Sequence, residues 1–186
     1  YFLEYYKKLG AKGVGEITAN MYFDDPYIEN LFYHCQKCKM PVLFHIGPTI
    51  GGCYGLVDES GLPRLEKELA EIGSDVTEAN RNSYPQGKVT PGRVVELMRK
   101  YPNLYGDLSA GSGYNAVSRD PKFGYAFIEE FQDRLYYGND ICDPRNINNP
   151  MLKLSSWLDD GLERSKISET AYKKVCYENA LELLER

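Results

Sequence analysis

Two short apolar segments of this chain each end in a side chain that can bind a metal ion. His45 lies in the run PVLFHIG at residues 41–47, and Asp140 closes the run RLYYGND at residues 134–140. A short apolar run bounded by proline or glycine is typical of a buried parallel strand. Parallel α/β folds place their functional sites at the carboxyl ends of such strands. The pattern therefore predicts a metal-dependent hydrolase built on a barrel.

The side chains of His45 and Asp140 suit a divalent metal, with zinc as the first expectation and manganese or iron as alternatives. Catalytic sites of this kind use about three protein ligands and leave one position for water. The bound water then becomes acidic enough to act as a nucleophile near neutral pH. A purely structural interpretation stays open, in which His45 donates to a backbone carbonyl and Asp140 caps the following turn.

Glu16 is the third candidate, because the run GVGE at residues 13–16 again brings a carboxylate to the end of a strand. The flanking glycines let a ligand or another backbone segment approach closely. We expect Glu16 to be a metal ligand or the neighbour of one. Asp107 lies inside a predicted strand, so its side chain can face either the barrel or a helix, and it ranks below Glu16.

The five cysteines are an odd and scattered set, which is typical of reduced thiols in a cytoplasmic protein. Cys35 and Cys38 share one face of a predicted helix, and no second Cys or His pair stands at zinc-finger spacing. We therefore interpret them as packing thiols. Cys53 lies in a glycine-rich loop at residues 47–61 that has the spacing of neither a phosphate-binding loop nor a dinucleotide fingerprint. This loop is expected to be mobile and to lie beside the site, where it could also bind a small molecule.

The composition is that of an ordinary soluble globular protein, with 42% hydrophobic and 26% charged residues in a chain of 186. The net charge is −5 and no run of Lys or Arg occurs, which argues against nucleic-acid and anionic-membrane partners. No spanning segment and no signal peptide is evident, so we expect a cytoplasmic location. The chain begins at Tyr1 in mid-pattern and without methionine, so we expect it to start inside a larger fold.

Helix and strand patterns alternate along the chain, which predicts a parallel sheet with helices outside it. Strands are expected at residues 12–17, 41–47, 104–109 and 134–140. Helices are expected at residues 1–9, 26–39, 62–70, 90–101, 114–131, 150–162 and 168–185, with a long loop at 71–88. A closed eight-stranded barrel usually needs ~250 residues. We therefore expect residues 1–186 to form a single domain with an incomplete (β/α) TIM-type barrel.

An incomplete barrel leaves sheet edges without a partner strand and apolar surface without cover. We expect such a chain to form a homo-oligomer, most simply a two-fold dimer that completes or covers the sheet. A dimer would also bring metal ligands of two chains together. The remaining partner would be a small-molecule substrate.

Four motifs resemble the amidohydrolase-2 branch of the amidohydrolase superfamily, and they occur in the family's order. They are PVLFHIG at 41–47, YPNLYGDLS at 101–109, RLYYGND at 134–140 and YENALELL at 177–184. The resemblance implies a metal-dependent TIM barrel that hydrolyses, or in some branches decarboxylates, small substrates. By position, His45 resembles the fifth-strand metal ligand and Glu16 an acidic residue at the end of the fourth strand. Asp140 resembles the eighth-strand aspartate, which binds metal and orients or deprotonates the water.

The sequence also departs from this family. The His-x-His of the first strand is missing, and no histidine lies between residues 70 and 90, where the sixth strand would carry one. The chain has 2 histidines in total, and the join at Ala70 and Glu71 resembles a deletion that removed a strand. Because lost ligands are rarely tolerated by metal-dependent hydrolysis, we do not expect full activity from an isolated monomer. The alternative is a non-catalytic, self-associating barrel remnant or a scaffold that binds a small molecule.

Overall fold

The structure, a computed structural model, describes residues 1–47, 49–52, 54–59, 64, 84–148 and 152–185. Within these residues the chain has an α/β architecture with short parallel strand pairs and no closed barrel. The chain divides into two compact units, Tyr1–Asn82 with Gly92–Leu97 and Ser83–Pro91 with Met98–Glu185. The predicted α/β class with a parallel arrangement is confirmed. The TIM-type barrel and the single-domain assignment stay predictions.

The first unit carries the strands around His45. Its elements are α1 (Phe2–Lys8), β1 (Val14–Ile17), α2 (Pro26–Cys38), β2 (Val42–Phe44), β3 (Ile46–Gly47) and β4 (Leu56–Val57). Strand β1 pairs in parallel with β2, and β3 pairs in parallel with β4. Helix α3 (Arg93–Lys100) begins in this unit and ends in the second.

Local capping residues set both ends of helix α2. The carboxylate of Asp25 accepts the backbone N–H of Tyr27 at 2.9 Å, and Pro26 occupies the first helical position. The helix ends at Cys38 and is capped by Lys39, whose φ of 51° lies in the left-handed region. Ile28 and Cys35 are its buried side chains. The helix therefore packs by the face that carries Cys35, as the sequence predicts for a packing thiol.

The strand that carries His45 differs from the prediction of a fully buried strand. Val42 and Phe44 are half-buried, whereas Leu43 is 46% exposed. Successive side chains of a strand point to opposite faces, so one face of β2 packs on the core and the other is open. Phe44 packs edge-on against the buried Phe23, with ring centroids 5.2 Å apart.

The second unit holds the strand that precedes Asp140. Its elements are β5 (Gly106–Asp107), α4 (Ala110–Ser118), α5 (Pro121–Glu130), β6 (Leu135–Tyr136), α6 (Lys153–Glu163), α7 (Glu169–Lys173) and α8 (Asn179–Glu185). Short 3₁₀ turns cover Gln132–Arg134 and Pro144–Asn148, and a π-helical turn, Lys174–Glu178, joins α7 to α8. Strands β5 and β6 are parallel, with Gly106 opposite Leu135 and Asp107 opposite Tyr136.

The core of the second unit forms between its helices and strand β6. Its fully buried side chains include Val117, Ile128, Leu135, Leu154 and Leu158. Burial of such aliphatic side chains is the main favourable contribution to folding, at about 1.5–3 kcal/mol each. This core holds β6, and therefore the chain that leads to Asp140, on a rigid support.

Several predicted elements need correction. The helix expected at residues 114–131 is two helices, because Asp120 caps α5 and Pro121 cannot continue α4. The loop expected at 47–61 contains strand β4, which at two residues is too short to produce a recognisable periodicity. The helix expected at 62–70 and most of the loop expected at 71–88 lie outside the described residues.

Candidate functional site

His45 lies between β2 and β3, where the two strand pairings of the first unit meet. Its backbone N–H donates to the carbonyl of Ile17 at 3.0 Å, and its carbonyl accepts from the N–H of Leu56 at 2.7 Å. Both backbone groups are therefore held by neighbouring strands, and the orientation of the side chain is supported by the sheet. The side chain of His45 is 39% exposed, so a ligand can reach the imidazole.

Glu16 lies beside His45, as expected from the end of the preceding strand. Its Oε1 is 3.2 Å from Nδ1 of His45, and the Glu16 side chain is 42% exposed. A carboxylate next to Nδ1 favours the tautomer in which Nδ1 carries the proton and donates a hydrogen bond to the carboxylate. The other ring nitrogen, Nε2, is then available as an acceptor or a metal ligand.

Tyr54 is a third member of this site that sequence reasoning missed. Its ring centroid lies 4.4 Å from that of His45, at an interplanar angle of 46°. The adjacent Gly55 has φ of +99°, and a Cβ there would come within 2.8 Å of Cδ2 of His45. Glycine is therefore required at 55 for the close approach of the loop to the imidazole. The glycine-rich composition of this loop was the one feature that could have indicated such an approach.

Asp140 belongs to the second unit and follows strand β6 by a turn. It has φ of 56°, a left-handed conformation that aspartate tolerates better than most residues. The side-chain Oδ1 of Asn139 accepts the N–H of Ile141 at 3.0 Å and closes this turn. The Asp140 residue is exposed. The structure thus brings Glu16 and His45 together within the first unit, while Asp140 belongs to the second.

Asp107 is engaged within its own loop. Its Oδ1 accepts the backbone N–H of Ser109 at 2.8 Å and also contacts the Ser109 hydroxyl. A Cβ on Gly138 would lie 3.0 Å from Oγ of Ser109, so the end of β6 passes close to this pair. The lower rank of Asp107 among the candidates agrees with this local hydrogen-bonding role.

A second polar cluster of the first unit surrounds Arg64. Its Nη1 donates to both carboxylate oxygens of Asp24 at 2.8 and 3.0 Å, and its Nη2 donates to Glu59 at 2.7 Å. These carboxylates raise the pKa of the Arg64 guanidinium above its usual value, with the hydrogen bond to Glu59 as the largest cause. The arginine already supplies the positive charge that these acids require. The cluster is therefore an ion-pair network of the fold.

The described cysteines are free thiols. Burial, and to a smaller degree the charge of Cys38, raises the pKa of the Cys35 thiol. Burial likewise raises the pKa of Cys176. A raised pKa keeps a thiol protonated and unreactive at neutral pH. This agrees with a packing role for Cys35, whereas Cys53 falls outside the described residues.

Among the described residues, no group of three or more His, Cys, Asp or Glu side chains lies close enough together to hold a metal ion. In the same part of the chain, every helix is too short or too polar to cross a lipid bilayer. In comparisons with protein-family models, curated proteins and solved structures, no match to the chain was found. The function must therefore be argued from the geometry of the site.

Proposed function

We propose that this chain is a metal-dependent hydrolase of the amidohydrolase-2 type that acts on a small molecule through metal-activated water. The observation that supports this proposal is the contact of 3.2 Å between Oε1 of Glu16 and Nδ1 of His45. A carboxylate that holds the far nitrogen of an imidazole is the usual second partner of a metal-binding histidine. In this arrangement Nε2 of His45 would hold the metal, and Glu16 would support His45 without being a direct ligand.

The residues fit such a metal in chemical kind. Imidazole nitrogen and carboxylate oxygen are ligands that zinc, manganese and iron accept. They fall short in number, because a catalytic zinc site uses about three protein ligands, and the described residues hold no group of three. Asp140 is the proposed further ligand. A metal bound there would lower the pKa of its water enough to provide hydroxide near neutral pH.

Each residue then has a distinct task. His45, in a position held by two strands, would bind the metal through Nε2. Glu16 keeps the proton on Nδ1 and fixes the ring orientation. By the resemblance to the amidohydrolase-2 branch, Asp140 would bind the metal and orient or deprotonate the attacking water.

Elemental analysis tests this proposal directly. The parent protein, purified without added metal, is compared with His45→Ala and with the matched control His34→Ala, which removes the second of the two histidines. We expect near-stoichiometric zinc or manganese in the parent and in His34→Ala, and its loss in His45→Ala. Screening with simple esters, lactones and aromatic acids then follows. A parent protein without metal, also after incubation with zinc, would overturn the proposal.

The second candidate function is a non-catalytic binding scaffold or barrel remnant. The observation that favours it is the missing third ligand in the described part of the chain. A scaffold of this kind would contain no metal and would hydrolyse none of the test substrates. It would still bind a small molecule beside His45. The same elemental analysis separates the two candidates.

A further inference from the structure

We propose that Asn20 is a positioning residue of the His45 site, and that it acts by holding Tyr54 against the imidazole. The proposal rests on the proposed function only for its consequence, a restricted approach of ligands to His45. The placement itself concerns residues of the first unit alone and involves neither metal nor substrate.

The side chain of Asn20 ties together three backbone groups of the loop that follows β3. Its Nδ2 donates to the carbonyl of Thr49 at 3.0 Å and to the carbonyl of Gly55 at 3.3 Å. Its Oδ1 accepts the N–H of Gly51 at 2.7 Å. One carboxamide thus connects positions near the beginning and at the end of the loop. A side chain with both donor and acceptor atoms is required, because the loop presents two carbonyls and one N–H.

Gly55 connects the hydrogen bonds of Asn20 to Tyr54, its neighbour in the chain. The N–H of Gly55 donates to the carbonyl of Thr18 at 2.8 Å, while its carbonyl accepts from Asn20. The Tyr54–Gly55 peptide is therefore held by Thr18 and the Gly55–Leu56 peptide by Asn20, so that Gly55 is fixed from both of its sides. Because Gly55 also lies against the imidazole edge, a shift of Gly55 would move the adjacent Tyr54 ring relative to His45.

The consequence is a defined direction of approach to His45. Tyr54 lies close to the imidazole, and Glu16 occupies the Nδ1 edge. A ligand is left with the Nε2 edge. Release of Asn20 would loosen the tyrosine and expose more of the ring, without removing any group that contacts the imidazole.

Chemical modification of the two histidines measures this exposure. Diethyl pyrocarbonate acylates neutral imidazole nitrogens, and peptide mass spectrometry gives the rate at His45 with His34 of the same molecule as the internal reference. The variants are Asn20→Ala, Tyr54→Ala as the fully uncovered reference, and Asn30→Ala as the matched control on exposed α2 surface. Circular dichroism verifies that each variant is folded.

We expect the rate of acylation at His45, relative to that at His34, to rise about fivefold or more in Asn20→Ala. The loss of one hydrogen bond typically changes a local opening equilibrium by about this factor. Tyr54→Ala should show a rise at least as large, and Asn30→Ala should match the parent. A parent-like rate in Asn20→Ala together with a fast Tyr54→Ala overturns the role of Asn20. A parent-like rate in Tyr54→Ala overturns the shielding itself.

A second variant keeps the test decisive if Asn20→Ala does not fold. Gly51 has φ of +75° and open space around a Cβ, so Gly51→Ala strains the loop without a clash. Gly51→Ala should also raise the rate of acylation at His45, and a rate equal to that of the parent overturns the proposal. If the protein binds no metal but the acylation rates at His45 change as expected, the proposed function is refuted and the role of Asn20 stands. If the protein binds metal but the acylation rates do not change, only the role of Asn20 is refuted.

Discussion

The carboxylate of Glu16 and the imidazole of His45 are 29 residues apart in the sequence and 3.2 Å apart in the fold. The contact exists because β1 and β2 are parallel neighbours, so that their carboxyl ends lie at the same edge. A histidine that carries such a partner is oriented for binding through its other nitrogen. The pairing of β1 with β2 therefore produces the contact on which the proposed metal binding by His45 depends.

Glu16→Gln should weaken metal binding without abolishing it. The amide keeps the size of the side chain but can no longer fix the Nδ1 proton by a charged acceptor. Loss of such a partner typically lowers metal affinity about 10–100-fold. Competition titration with a chromogenic chelator measures the affinity, and Glu4→Gln on exposed α1 is the control. An affinity equal to that of the parent would show that Glu16 does not support His45.

Asn179→Ala should destabilise the second unit. The buried Asn179 amide donates to the carbonyls of Gln132 and Leu135 at 2.7 and 2.8 Å. Its removal leaves two carbonyls without their partner, which costs about 2 kcal/mol and roughly 5 °C in Tm. Thermal unfolding of the variant and of the exposed control Asn148→Ala tests this. A Tm unchanged from the parent contradicts a supporting role for this amide.

Asp120 should make the free energy of unfolding depend on pH in the acid range. The hydrogen bonds from the N–H groups of Val89 and Phe123 lower the pKa of its carboxyl, with Val89 as the largest cause. A lowered folded-state pKa contributes stability that is present above the unfolded value of about 3.9 and is lost as the pH falls through the folded value. Asp120→Asn should therefore be less stable than the parent at pH 7, and the difference should shrink below about pH 4.

Urea unfolding at both pH values measures this difference, with the exposed Glu163→Gln as the control. A gap between parent and Asp120→Asn that is as large in acid as at neutral pH would assign the effect to lost packing and not to the charge.

The thiols should differ in reactivity. Burial raises the pKa of Cys35, whereas Cys142 is exposed. Since the thiolate is the reactive form, Cys142 should react first with a disulfide reagent at pH 8 and Cys35 only on unfolding. Peptide mapping in a Cys53→Ser background follows each site, and Cys142→Ser should remove the fast phase. Equal rates at Cys35 and Cys142 would contradict burial of the α2 face.

The expected homo-oligomer stays a prediction, and exposed apolar side chains near both ends of the described residues offer a way to test it. Phe2 of α1 is 72% exposed and Leu9, directly after this helix, is 67% exposed. On α8, Leu181 and Leu184 are 54% and 59% exposed. Apolar surface of this kind tends to be covered by a partner. We predict a dimer that Leu181→Glu with Leu184→Glu shifts toward monomer, while Ser156→Glu does not. Size-exclusion chromatography with light scattering is the measurement, and a parent that is monomeric at every concentration refutes the prediction.

Local patterns were sufficient for most helices of the described residues. The Asp25 cap followed by Pro26 predicts the start of α2, and the structure has it there. Such features are decided by neighbours in the sequence, which is why they can be read without the fold. The same chemistry at Asp120 and Pro121 divides a predicted helix in two.

Strand contacts were only partly predictable. The ends of the strands indicated Glu16 and His45 as candidates, since parallel strands deliver their carboxyl ends to one edge. Neither Tyr54 nor Asn20 has a sequence pattern that assigns it to this edge. Their contacts depend on the path of a loop, and a loop path is a tertiary property.

The sequence by itself determined the α/β class, most helix positions and the residue types available for chemistry, because propensity, capping and periodicity are local. Only the tertiary structure decided that Glu16 contacts His45, that Tyr54 lies beside it under the hold of Asn20, and that Leu43 stays exposed on an open face. These relationships arise from strand register and loop closure, which join residues tens of positions apart. Their energies depend on distances that no local pattern encodes.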